Sequence, residues 1–513
     1  AVRIAVATLV GSKPTVNLDG VIAEGVIWLS EIHGTEFVND VPVAVGDEQI
    51  KEVLNSGLFS SRGNGKMGWA HQTYGEFLAA RYMARHKLDW KQTQSFLFHD
   101  PLKLGVFQVV PQLYEVSAWL ASLDPTFFDN AVPMDPEFLL LSDAKVITDL
   151  QKQALAEQLL DKLAKGELLD RWEIYNTTNY RKLNHVGIAG QIKPYIVDIT
   201  KGIVVRRAAT EIASACAAVE LEETLVQVAL NEDDDLSIRV RAVIAIANFG
   251  SDKSRLALRS LIDSKFLNDP EDELKGVVLR ALWPRHITGQ QVFALMTPSK
   301  KHSFHGTYQG FAGEDLASSL RDEDALLGLE WIEKNVDKVQ DLEYSFRKLS
   351  DAIMLKAWQN VSNPEILKKF TSISYDRLQN FEEVVGEHSI NEEISVKFQA
   401  ALDSQEDDHR AFIKQLILMI RAKDTSPGRK GYILLHHGKV QIITSKDVAW
   451  LIEWLGVEPD EEIQKIIAEI VTRIINIQDP QQIDLIYYAR EKNKFLKEET
   501  DFWFRTVDLD SES

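Results

Sequence analysis

One cysteine, Cys216, stands in 513 residues, so the chain has no disulfide framework and no cysteine-based zinc site. That scarcity points to a reducing, cytoplasmic setting. Long apolar runs are also missing: no stretch of about 18 apolar residues is present to span a bilayer. Positive charge is in short supply, with 57 Lys and Arg against 77 Asp and Glu and a net charge of −20. Such a surface repels phosphate backbones and anionic lipid heads. The Lys300–Lys301 pair and the interrupted basic stretch from Arg421 to Lys430 read as solvated loops. Neither nucleic acid nor membrane is therefore expected as a partner. The phosphate-cradling pattern G-x-x-x-x-G-K-[ST] is absent throughout.

Helical patterning is abundant. Beyond Gly105, apolar residues recur at helical spacing and are broken every ten to twenty residues by Pro, Gly, Asp or Asn. Val146, Leu150, Leu155, Leu159, Leu160 and Leu163 form one such stripe, with charged residues on the other face. Strand signals are few: Leu58 to Arg62 with Met67 to His71, and a short pair within Tyr432 to Thr444. The expected class is all-α with a small β element. At 513 residues the chain holds several domain-sized units or one elongated repeat array. It opens on "AVRIAVATLV", a helical pattern already under way without a basic-then-apolar leader, and we expect it to be part of a longer polypeptide.

An internal repeat is visible. Val205-Arg206, Val240-Arg241 and Leu274-Lys275 each open an apolar helix, 35 and 34 residues apart, and "EETLVQVAL" and "KSRLALRSLI" follow the first two as partner helices. That period with paired helices is the pattern of a HEAT-like α-solenoid, although paired amphipathic helices also recur by coincidence in all-α proteins. Gly250 is placed to end one helix and Ser251 to cap the next. The resulting plan is a winged-helix-like region over 1–90, a helical linker over 91–200 and HEAT-like repeats over 201–281. A Gly/Pro/aromatic loop insertion over 282–311 and irregular helical repeats over 312–513 complete it.

The candidate chemistry centres on "GLFSSRGNGKMGWAHQTYGEFLAARYM", Gly57 to Met83. Gly63, Gly65 and Gly68 have G-x-G-x-x-G spacing, but a dinucleotide loop needs a strand before it and a helix directly after it. Here "GNGK" lies between two strand-like runs, so a hairpin turn is the better reading. Thr73 and Glu76 fit a capping box for the next helix, with Tyr74, Phe77, Leu78 and Tyr82 as its apolar face. His71, two residues before that start, either donates to an anion at the helix N-terminus or is simply a packed wing residue. Elsewhere the signals are weaker. His286, His302 and His305 lack ligands at fixed spacing for a metal, and we expect no metal site. "NEDDDLS", Asn231 to Ser237, lacks the glycine and glutamate of a calcium loop and reads as a solvated turn. "LLHHGK", Leu434 to Lys439, has no nucleophile or acid beside it. Trp283, Phe304, Tyr308 and Phe311 read as core beneath a loop before they read as a recognition patch.

Gly57 to Met83, with strand, turn, strand and then H-x-x-x-x-E-F-L-A-A, resembles the winged-helix end of the NACHT module of STAND NTPases, the class that includes the NOD-like receptors. In that family the winged helix folds back on the ATPase core, and a histidine at this place contacts the β-phosphate of bound ADP. The resemblance implies that role for His71. It implies ATP or ADP with Mg as cofactor of the full-length protein, with none held by this stretch alone. The family's P-loop, magnesium-binding acidic motif and sensor arginine have no counterpart here and would lie upstream. "VVPQLYEVSAWLASLDPTFFDNAVPMDPEFLLLSD", Val109 to Asp143, followed by the repeats, is similar to the helical sensor arms of bacterial members, many of which act in antiphage defence. The resemblance implies a protein ligand on that arm and a homo-oligomer on activation. A non-enzymatic helical scaffold for protein–protein interaction is the reading left beside it.

Overall fold

The computed structural model describes all residues except 19–23, 39–40, 101–104, 143–147, 169–176, 264–265, 267, 302–305, 340–343, 387–391, 424–429, 436–437 and 505–513. The described residues form 28 α-helices and three small sheets, so the chain is predominantly helical. It divides into two compact units, Ala1–Ala257 and Leu258–Ser513. That division falls inside the stretch 201–281 expected as one block of repeats.

The first unit opens with α1 (Val2–Val10), β1 (Thr15–Asn17), β2 (Val26–Trp28) and α2 (Leu29–Ile32). The ribbon β3 (Gly34–Val38) and β4 (Val41–Val45) follows, then α3 (Asp47–Leu54), β5 (Phe59–Ser61), β6 (Lys66–Trp69) and α4 (Gln72–Arg85). One sheet has the order β2-β1-β6-β5, with β1 parallel to β2 and antiparallel to β6. The β5–β6 hairpin is where the glycines predict it, pairing Phe59 with Trp69 and Ser61 with Met67. Gly63, Asn64 and Gly65 all take positive φ, at 79°, 48° and 65°. Glycine and asparagine tolerate that region, and the turn closes with Lys66 N–H donating to Gly63 O at 3.0 Å.

Helix α4 corrects two expectations. It starts at Gln72 with His71 as its N-cap residue, so Thr73 is already inside the first turn and the Thr73–Glu76 box does not form. Its packed face is Gly75, Glu76, Ala79, Ala80 and Met83, not the Tyr74, Phe77, Leu78 and Tyr82 stripe. Tyr74 is exposed, and Phe77 sets its ring edge-on to Trp119 at 5.3 Å. The reason is steric: α4 packs against α1 and against the helix Tyr114–Leu123, and small residues let helix axes approach closely. Further on, Leu155, Leu159, Leu160 and Leu163 are buried along the helix Asp149–Lys165 as their spacing predicts, but Leu150 is exposed. Val146 lies outside the described residues. The ribbon β3–β4 and a two-residue ladder, Phe98–His99 with Gln108–Val109, are strands the sequence pattern did not disclose.

The three stretches read as repeats lie in helices Ile203–Ala215, Leu236–Phe249 and Glu273–Leu282, with Glu222–Leu230 between the first two. Arg206 donates Nε to Ile196 O, and Arg239 donates Nε to Ala229 O, each a carbonyl ten residues back. Arg206 also makes a two-pronged ion pair with Asp234, at 2.7 Å on both oxygens, with both side chains buried. The turn Asn231 to Ser237 is therefore not wholly solvated: Asp234 is a core residue, and Asp235 caps the next helix by accepting from Ser237 N–H. Gly250 ends Leu236–Phe249 in an extended conformation, where a Cβ would stand 2.5 Å from Ile246 O. Ser251 Oγ accepts from Ser254 N–H in the first turn of the helix that follows.

The second unit includes the helices Ala325–Val339, Tyr344–Trp358, Glu406–Lys423, Val448–Val457 and Glu461–Ile474. Their core includes Trp358, Phe370, Phe398 and Phe412, all fully buried, with Phe370 and Phe412 centroids 5.1 Å apart. Two expectations fail here. The stretch 282–311 is not a plain loop: Thr288 caps a helix at Gly289–Leu295, and Thr307–Gly310 leads into a π-helical segment, Phe311–Leu316. Nor is there a strand among the described residues of Tyr432 to Thr444. Lys430–Leu435 is a 3-10 helix that packs on Glu461–Ile474, and Leu434, Val440, Ile442 and Ile443 bury their side chains without pairing.

Asp234 supplies a test of this packing. Asp234→Ala strands the Arg206 guanidinium in the core, and we expect a loss of about 3–5 kcal/mol in chemical denaturation. A loss below about 1 kcal/mol, the range of an exposed pair, would show that water reaches the site.

Candidate functional site

The β5–β6 hairpin and the start of α4 are held by one side chain, Trp69. Its indole lies 4.2 Å from the Phe59 ring and donates Nε1–H to Thr8 Oγ1 on α1 at 3.0 Å. A Cβ on Gly75 would meet that indole at 2.9 Å, so glycine is what lets α4 close over it. His71 then follows with extended backbone, φ −131° and ψ 132°, and makes no side-chain capping bond. Its exposed ring rests edge-on to Tyr74 at 5.4 Å. No acidic residue occupies the first turn of α4, and Glu76 is turned into the packed face. An exposed imidazole thus sits beside the positive end of a 14-residue helix.

Next to it lies a cleft of about 620 Å³ lined by residues of α1, β1, the end of β6 and the turn at Gln112. Ala70 and Gln72 line it on either side of His71, whose ring is not part of the lining. Arg62 and Trp69 are, together with Leu9 and Pro14. Arg62 donates Nη2–H to Trp69 O at 2.6 Å, and no carboxylate pairs with it among the described residues. The third glycine of the G-x-G-x-x-G spacing now has a structural role. A Cβ at Gly68 would stand 2.9 Å from Arg62 Nε, so its absence lets the arginine lie flat across β6. Sequence reasoning passed over Arg62, and the signal was local: a glycine in a strand marks close approach by another group.

Trp283, Tyr308 and Phe311 are buried, whereas Phe304, His302 and His305 lie outside the described residues. His286 is half-buried after the helix Glu273–Leu282, with its N–H on Leu282 O. His436 and His437 also lie outside the described residues. Among the described residues no group of three or more His, Cys, Asp or Glu stands together to hold a metal ion, and no helix is long and apolar enough to cross a membrane. Cys216 is buried, and burial pushes its thiol up to about 11, which leaves it an unreactive core residue.

Around Tyr308 the structure places a buried cation. Lys275 Nζ stands 3.9 Å from the Tyr308 ring centroid and donates to Thr297 Oγ1 at 2.9 Å. Burial pushes this lysine down to about 8, while burial of Asp269 nearby raises its carboxyl above the usual range. Gly276 permits the contact, since a Cβ there would meet Tyr308 N at 2.3 Å. No family model matches the chain, and no curated protein matches it.

Lys275 makes stability depend on alkaline pH. Between about 8 and the ordinary lysine value of 10.5 the folded chain holds a neutral amine and the unfolded chain an ammonium. The unfolded state then binds more protons, so stability rises with pH across that window, by on the order of 3 kcal/mol in all. Lys275→Met should flatten this rise in denaturation curves between pH 7.5 and 10.5; an equal slope in both proteins would assign the rise to other groups.

Proposed function

We propose that this chain is the ligand-sensing and autoinhibitory part of a STAND signalling NTPase, acting in the cytoplasm and, in the bacterial setting, in antiphage defence. The observation that carries the reading is the exposed His71 at the uncapped N-terminus of α4, directly after the hairpin. An imidazole beside the positive end of that helix suits the β-phosphate of an ADP held by an upstream NTPase core with its magnesium. Helices α1 and α4 with the β5–β6 hairpin would then serve as the winged-helix-like lid on that core.

The helical regions would form the sensor arm. The repeated bond from Arg206 and Arg239 to a carbonyl ten residues back supports a HEAT-like unit that recurs along the chain. A protein ligand on that arm would favour the open, oligomerising state only by its difference in affinity between the two states. The same helical packing would serve a non-enzymatic scaffold, and nucleotide retention separates the two.

In the full polypeptide that carries this chain, His71→Ala should speed ADP release by about tenfold, the loss of one charge-assisted hydrogen bond. Unchanged release in a stopped-flow measurement with a fluorescent ADP analogue would reduce His71 to a packing residue. The 513-residue chain by itself should turn over neither ATP nor GTP, and turnover by the purified chain would overturn the assignment.

A further inference from the structure

We infer that the cleft beside the β5–β6 hairpin is a binding site for a small organic carboxylate with an apolar body. This goes beyond the nucleotide reading, because the site is complete within the first unit and does not use His71. At about 620 Å³ the cleft falls in the size range of small-molecule pockets. Leu9, Pro14, Trp69 and Ala70 supply an apolar wall, and Thr15, Gln72 and Gln112 are the polar residues around it.

Charge selects the head group. The chain carries a net charge of −20, yet among the described residues no carboxylate lines this cleft and one guanidinium, that of Arg62, does. Arg62 is held in place before any ligand arrives: Nη2 is bound to Trp69 O, and the side chain lies over the bare Cα of Gly68. A guanidinium fixed at one edge keeps its remaining N–H groups for a carboxylate fork. A single lining cation matches a monoanion, whereas a phosphate dianion would be left with one uncompensated charge. The first turn of α4, which contributes Gln72 to the lining, adds its partial positive charge.

Isothermal titration of the purified chain with 1-naphthoate and with neutral 1-naphthol tests this. We expect naphthoate to bind about tenfold or more tighter than naphthol, the worth of a hydrogen bond to a charged group. Arg62→Gln should erase that preference. Gly68→Ala should weaken it with Arg62 still present, because the new methyl displaces the guanidinium. Circular dichroism of both variants checks the fold, and Gly68→Ala decides the matter should Arg62→Gln fail to fold. Absence of naphthoate binding, equal affinity for the two probes, or a preference that survives Arg62→Gln would each overturn the site.

Discussion

The seat of Trp69 is the contact on which the first ninety residues depend. Its indole joins three elements that are far apart in sequence: the hairpin through Phe59, α1 through the Thr8 hydroxyl, and α4 through the missing side chain of Gly75. A buried indole N–H needs a partner, and Thr8 supplies it while returning its own proton to Ile4 O. The direction in which α4 leaves the hairpin follows from that fit. So do the exposure of His71 and the position of Arg62, whose guanidinium rests on the carbonyl of the same tryptophan.

Buried charged groups occur in both units. Arg206 and Asp234 face each other with both prongs of the guanidinium engaged, and Ile196 O takes up further N–H groups. Such a pair adds little net stability but penalises any register in which one partner lacks the other. In the second unit Lys275 plays a related part with a weaker set of partners, a threonine hydroxyl and the face of Tyr308. Its ammonium is only partly compensated, which is why burial drives it toward the neutral form.

Much of this was legible in the residues. Helix positions such as Ile203–Ala215, Leu236–Phe249 and Glu461–Ile474 follow from apolar spacing, and the hairpin from Gly63, Asn64 and Gly65. What misled was hydrophobicity taken as a guide to burial. In α4 the aromatic stripe faces outward or sideways, while Gly75, Glu76, Ala79, Ala80 and Met83 are buried, with the Trp69 indole seated against Gly75. In Tyr432 to Thr444 the segment up to Leu435 packs on the helix Glu461–Ile474, and Val440, Ile442 and Ile443 are buried without strand pairing.

The sequence by itself determined the helical class, the hairpin and the lack of any cysteine-based framework, because periodicity, turn chemistry and composition act over a few residues. Tertiary structure alone decided which face of α4 is buried, that Asp234 belongs to the core, and that Arg62 lies beside a cleft. Each of these depends on groups brought together from distant positions: Asp234 on Arg206, α4 on Thr8 and Trp69, Arg62 on a carbonyl seven residues away across a turn. Spacing along the chain carries no record of such meetings.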